Sequence, residues 1–167
     1  MGLFSNIFGK GGGSATSERI EVTCPLAGEL VDISTVNDPV FSSLAMGDGV
    51  AIKPTEGVLL APISGTVEAL FPTGHALAIK GDNGVSIMLH IGIDTVEMKG
   101  DGFTAHVAAG DHVSRGQKLV DFDLGKIAQA GFDPTTMVIA AENTSGKALH
   151  KHAGGAVSTT DIALWFE

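Results

Sequence analysis

Residues 75–90 read HALAIKGDNGVSIMLH, two apolar runs joined by the turn Gly81-Asp82-Asn83-Gly84. With Asp82 and Asn83 as a two-residue hairpin loop, Gly81 faces Gly84, Leu77 faces Met88, and His75 faces His90. Directly opposed residues share one face of the ladder, with Cβ atoms roughly 4.5–5.5 Å apart. This register sets two imidazoles side by side at the open end of the hairpin, on the face of Leu77, Ile79, Ser86 and Met88. An Asn83-Gly84 turn would shift the pairing and part the rings, leaving two unrelated surface histidines. A juxtaposed pair can serve nucleophilic chemistry, proton transfer or metal binding.

Outward from this hairpin the chain alternates short β-prone runs with turns. Ile20 to Val22, Leu30 to Ile33, Val50 to Lys53, Val58 to Leu60 and Gly65 to Leu70 precede it. Lys118 to Phe122, Met137 to Ala140 and a Thr-rich run from Ala156 to Ala163 follow. Gly47-Asp48-Gly49, Glu56-Gly57, Pro72-Thr73-Gly74 and Lys99-Gly100-Asp101-Gly102 punctuate the series. One short helix is expected after Asp123, with Leu124, Ile127 and Ala128 as its apolar face and Gly131 as its stop. These runs imply an all-β fold, an antiparallel β-sandwich or flattened barrel.

Composition agrees. The chain has 167 residues, enough for one domain with a proper core. Its 23 glycines are about twice the usual share, and charged residues at 17% fall below the usual quarter, as short strands and tight turns require. Ten basic against 19 acidic residues give a net charge of −9, which argues against nucleic acid and for partners with basic surfaces. Cys24 is the only cysteine, so neither a disulfide framework nor a thiolate metal site is available. No apolar run approaches the length of a membrane span, and a cytoplasmic protein is expected.

Residues 1–18 read as a separate unit ahead of a folded domain at 19–167. Leu3, Phe4, Ile7 and Phe8 fall at helical spacing, and Gly11-Gly12-Gly13-Ser14 marks a flexible linker. The segment is too short for a secretory signal. It suits weak contact with an anionic membrane surface.

Two groups of residues carry family resemblances. Ala61-Pro62-Ile63-Ser64-Gly65-Thr66-Val67, with Gly110-Asp111-His112-Val113-Ser114-Arg115-Gly116-Gln117-Lys118-Leu119, looks like a barrel-sandwich hybrid fold. Sharper is the run Pro72-Thr73-Gly74-His75-Ala76, then Ile87-Met88-Leu89-His90-Ile91-Gly92-Ile93-Asp94-Thr95-Val96, with Gly100-Asp101-Gly102-Phe103. It resembles the glucose-family IIA component of the bacterial sugar phosphotransferase system, from about Ile20 to Glu167, and the amphipathic N-terminus fits the free-standing form.

The resemblance implies a set of roles. His90 would accept a phosphoryl group from the histidine-containing phosphocarrier protein and pass it to a cysteine of a sugar-specific IIB domain of an IIB/IIC permease. Such transfer is mostly positioning and charge stabilisation. His75 would hydrogen-bond the phosphoryl oxygens, Thr73 would orient His75, and a carbonyl near Gly92 would hold the other ring nitrogen of His90. Asp38 and Asp94 match acidic positions beside the site, although Asn37-Asp38-Pro39 also reads as a plain turn. Val40, Phe41, Phe71, Met88 and Val96 resemble an apolar docking ring, and Met46 and Met88 stand where branched or aromatic residues are expected. No cofactor is required, while a zinc shared with a partner at His75 and His90 is a further implication. Regulated permeases, glycerol kinase or adenylate cyclase would be regulatory partners.

Three rival readings differ in their residues. A barrel-sandwich metallopeptidase would show His-x-His where this chain has Met88-Leu89-His90. A lipoyl or biotinyl carrier needs a modifiable lysine at a hairpin tip, which Lys53-Pro54 does not present. A regulatory interaction module of the same fold would keep the docking ring without chemistry. His150-Lys151-His152 offers only a short metal-binding tract, and His106 and His112 are expected at the surface.

Overall fold

A computed structural model describes residues 18–167; Leu3, Phe4, Ile7 and Phe8, and with them the amphipathic tail, lie outside the described residues. Strands β1 (Ile20–Thr23) and β2 (Gly28–Asp32) lead into helix α1 (Pro39–Ser42). Then come β3 (Asp48–Pro54), β4 (Val58–Leu60), β5 (Gly65–Leu70), β6 (Ala76–Gly81) and β7 (Val85–Ile93). After β8 (Phe103–Ala105), β9 (His112–Val113) and β10 (Lys118–Phe122) follow helix α2 (Leu124–Gln129) and the long β11 (Asp133–Asn143). The chain closes with β12 (Leu149–Lys151), β13 (Gly155–Val157) and β14 (Ile162–Phe166). Turns of 3-10 helix at Ile33–Thr35 and Thr95–Met98 precede α1 and follow β7.

The strands form an eight-stranded sheet in the order β9-β5-β6-β7-β11-β3-β2-β13 and two three-stranded sheets, β4-β10-β8 and β12-β14-β1. Every pairing is antiparallel. The all-β sandwich expected from the turn spacing is what the chain adopts, with sheets that stay open rather than closing a barrel.

The large sheet has two unequal faces. Leu77, Ile79, Ile87, Leu89 and Ile91 of β6 and β7 join Val50, Ile52 and Val138 in the main core. On the opposite face a smaller cluster gathers Ile33, Phe41, Ala51, Ile93, Met137 and Ile139, with Met88 packed against it. Apolar side chains on both faces explain why these central strands read as continuous runs rather than as clean alternation.

The observed register corrects the expected one. Lys80 pairs with Ser86, Ala78 with Met88, Leu77 with Leu89 and Ala76 with His90, so Asp82-Asn83-Gly84 is a three-residue loop. Gly84 takes φ +94°, the left-handed residue that three-residue hairpins need. Ala76, Ala78, Met88 and His90 therefore share one face, and Leu77 and Ile79 point to the other.

Further differences have local causes. The run Ala156–Ala163 is split: Ser158 donates its amide N–H to the Asp161 carboxylate at 2.7 Å, a turn that separates β13 from β14. Two α-helices appear among the described residues, not one. The helix expected after Asp123 is α2, whose Lys126 N–H bonds Asp123 Oδ1 at 3.0 Å. The other is α1, at the segment read as a turn: Asp38 caps it by accepting from Val40 N–H at 2.9 Å, with Pro39 in the first helical position. Strands β8, β9 and β12, of two or three residues each, lack the continuous apolar run that marks Val58-Leu59-Leu60.

Candidate functional site

His90 stands in the middle of the smaller-cluster face. Across the sheet it lies between Ala76 on β6 and Met137 on β11, and Met137 in turn faces Ala51 on β3. Ala76 leaves room on one side of the imidazole. Helix α1 covers it from above, and the Phe41 ring lies 4.9 Å from the His90 ring. The cap at Asp38 thus decides where an aromatic neighbour of His90 sits.

Immediately after His90 the strand passes through Gly92 at φ +80°. This conformation turns the Gly92 carbonyl back towards the imidazole, and His90 Nδ1 lies 2.8 Å from it. A carbonyl only accepts, so Nδ1 carries the proton and Nε2 of the neutral ring keeps its lone pair. Thr95, fully buried, anchors the same turn by donating its hydroxyl to the Ile91 carbonyl. A Cβ on Gly92 would come 2.4 Å from Thr95 Cγ2, so the turn admits only glycine. Thr95 was not singled out in the sequence, where a threonine inside Asp94-Thr95-Val96 carries no local signal of its bond.

His75 reaches the same place from outside its strand. It sits in the bend that follows Pro72-Thr73-Gly74, where Gly74 at φ +77° donates to the Phe71 carbonyl at 2.8 Å. Its backbone carbonyl accepts from Ile91 N–H at 2.7 Å, so the ladder holds its main chain beside β7. The two imidazoles meet edge to face with centroids 5.0 Å apart. They meet although Ala76, not His75, is the direct partner of His90. Thr73 Oγ1 is 2.6 Å from His75 Nδ1, and the Phe71 ring stands edge-on at 5.4 Å.

Burial tunes both rings. His75 is only 2% exposed, and desolvation, reinforced by the neighbouring His90, pushes its pKa down to about 4. Desolvation also lowers His90, against the opposing pull of the Gly92 hydrogen bond and the carboxylates of Asp38 and Asp94. Both rings are therefore neutral at pH 7, the form in which imidazole is a nucleophile or a metal ligand. Among the described residues no three His, Cys, Asp or Glu side chains are grouped to hold a metal ion.

The residues expected to ring the site divide. Val40, Met46, Phe71 and Val96 are exposed. Phe41 is not: at 5% exposure it belongs to the smaller core, a correction to its place in the docking ring, because α1 turns its side chain inward onto His90. Met88 is half-buried against the same cluster. Leu44 is exposed beside them and was not anticipated.

The remaining histidines stand apart. His106 pairs with Asp121 at 2.6 Å and His112 with Asp82 at 3.0 Å, both at the surface. His150 stacks on Trp165 and His152 Nδ1 accepts from Gly154 N–H, so the tract around Lys151 does not converge on a metal. No helix of the described residues is long and apolar enough to cross a membrane.

Comparison with known proteins places this geometry in context. Residues 20–145 match the family described as phosphoenolpyruvate-dependent sugar phosphotransferase system, EIIA 1. The chain is 40% identical over 156 residues to a glucose-specific EIIA component of the phosphotransferase system of Bacillus cereus, covering 93% of each chain. It is 44% identical over 130 residues to a beta-glucoside-specific EIIBCA component of Halalkalibacterium halodurans, covering 78% of this chain and 20% of that one. The solved structure of glucose permease IIA from Mycoplasma capricolum superposes with a TM-score of 0.84 at 36% identity, over 89% of this chain and 96% of that one.

Proposed function

The chain belongs to the EIIA 1 family of the phosphoenolpyruvate-dependent sugar phosphotransferase system, and on that premise we propose that His90 is its phosphoryl acceptor. The observation that carries this reading is the bond from His90 Nδ1–H to the Gly92 carbonyl, which leaves the lone pair of the neutral ring on Nε2. Nε2 attacks the phosphorus of the histidine-containing phosphocarrier protein. The donor's P–N bond breaks, a new P–N bond forms, and the donor imidazole leaves with its electron pair. In the second step a cysteine thiolate of a sugar-specific IIB domain takes the phosphoryl group and His90 regains its lone pair.

Each neighbour has a task in this scheme. His75, positioned through Nδ1 by Thr73, offers its remaining nitrogen to the phosphoryl oxygens. Asp38 and Asp94 repel the dianionic group and favour handing it on. Val40, Met46, Phe71 and Val96 supply the exposed apolar surface that partners cover. Because donor and acceptor contact the same face in turn, their encounters exclude each other. The unphosphorylated surface is open to regulatory partners such as permeases, glycerol kinase or adenylate cyclase. His75 and His90 can lend two imidazoles to a zinc completed by such a partner. The work is cytoplasmic, and the names of the relatives make glucose the sugar to test first.

Incubation with phosphoenolpyruvate and the two general phosphotransferase proteins tests the reading. A single acid-labile phosphoryl group mapped to His90 by mass spectrometry supports it. Absence of the label, with the donor itself fully charged, refutes it.

A further inference from the structure

The described residues expose five large apolar side chains: Val40, Leu44, Met46, Phe71 and Val96. They are not scattered. Val40, Leu44 and Met46 lie on α1 and the loop after it, whose Phe41 touches the His90 ring, and Phe71 touches the ring of His75. Val96 lies on the 3-10 turn that follows the strand of His90.

Backbone strain falls in the same places. Three non-glycine residues among those described hold a positive φ: Leu44 at 64°, Asp94 at 63° and Lys99 at 54°. Asp94 and Lys99 are the two ends of the 3-10 turn carrying Val96, and Leu44 ends the loop turn after α1. Aspartate visits the left-handed region with little penalty, but leucine does not. Nothing inside the fold calls for leucine there. Its amide donates to the Phe41 carbonyl at 3.0 Å and its carbonyl accepts from Gly47 N–H at 3.0 Å, bonds that any residue would make. The side chain is 42% exposed and joins neither core cluster. A strained conformation and an exposed apolar side chain both cost stability, which points to a contact outside the chain.

We infer that Leu44 is a specificity-determining contact for the phosphoryl donor, a protein with an apolar face and a basic rim, and that its left-handed backbone is carried for that contact. The net charge of −9, with Asp38 and Asp94 acting on His90, sets the sign of the partner's rim. Leu44 follows α1, whose Phe41 touches His90, and so adds to the exposed apolar side chains on the α1 side of the histidine pair. The inference rests on His90 as the acceptor.

Phosphorylation of the full-length chain over a range of charged donor concentrations separates KM from kcat. Leu44→Gly removes the side chain and makes the positive φ harmless. It should raise the donor KM about five-fold and leave kcat unchanged. Its melting temperature should stay level or rise by up to about 4 °C. Leu44→Ala should show the same loss of affinity without the thermal gain. Phosphoramidate, a small donor that needs no docking surface, should phosphorylate both variants at the rate of the parent chain. An unchanged donor KM in Leu44→Gly overturns the inference while the acceptor role of His90 stands. A lowered melting temperature in that variant also overturns it, since the leucine would then be packing into the fold. A parent chain that takes no label at His90 from either donor overturns the reading beneath it instead.

Discussion

Protonating His75 should unfold this protein more readily than its surface histidines can, and the size of the effect follows from burial. An unfolded histidine titrates near 6.5, whereas His75 in the fold titrates at about 4. Between those values the unfolded chain binds a proton that the folded chain refuses, so stability rises with pH across this window. The contribution is fully present above pH 6.5 and is lost as pH falls towards 4. At 1.36 kcal/mol per pH unit it amounts to about 3 kcal/mol, a large part of a typical domain's stability. His90, lowered in the same direction, adds to it. Protonation of carboxylates also changes stability in acid, so the useful measurement is a difference. Urea denaturation from pH 4.5 to 7.5 should show the parent chain losing more stability than His75→Gln as pH falls. NMR titration of the ring Cε1–Hε1 signals should place His75 well below 6.5. Parallel stability curves, or a folded-state His75 titrating near 6.5, would refute the argument. The same neutrality predicts that phosphoryl acceptance does not rise between about pH 7 and 8.

Other substitutions probe the site directly. His90→Gln should abolish acceptance, whereas His75→Gln should still take the label and fail to pass it to the IIB cysteine; radiolabel transfer distinguishes the two. Gly92→Ala places a Cβ 2.4 Å from Thr95 Cγ2 at φ +80°, and should cost about 2–4 kcal/mol by urea denaturation while slowing acceptance. Asp38→Asn keeps the α1 cap but removes a carboxylate that raises the His90 pKa. NMR should show His90 titrating lower still, with the melting temperature unchanged. Phe71→Asp should weaken transfer from the donor with an unshifted melt, because the ring is exposed and outside both core clusters.

Much of this molecule is legible residue by residue. The runs Val58–Leu60, Gly65–Leu70 and Lys118–Phe122 are strands to the residue, because each is bounded by its own turn signal. Asp123 with Leu124, Ile127 and Gly131 marks α2 for the same reason: cap, apolar spacing and stop are all local. The exposed Val40, Met46, Phe71 and Val96 were legible only through the family resemblance, and of the four only Val96 lies within the motif that carries it. Burial is different. Phe41 and Phe71 look alike as residues, yet one is 5% exposed and the other 48%. What separates them is the direction of α1, which depends on a capped turn of four residues.

The histidine pair divides along the same line. Two apolar runs and a tight Gly-Asp-Asn-Gly turn determine that residues 75–90 form a hairpin ending in imidazoles, because alternation and turn chemistry act over a few residues. They do not determine which residue faces which, since Gly84 at φ +94° adds one residue to the loop and moves every pairing. The rings meet regardless, because Gly74 and Gly92, each in the left-handed region, bend the chain at both ends of the site. The Gly92 carbonyl that fixes the free nitrogen of His90, and the burial that keeps both rings neutral, come from Thr95, Met137 and Phe41. Thr95 acts through the local turn, but Met137 and Phe41 are near His90 only once the strands have paired and α1 has packed, since packing rather than sequence distance sets the dielectric that a side chain meets.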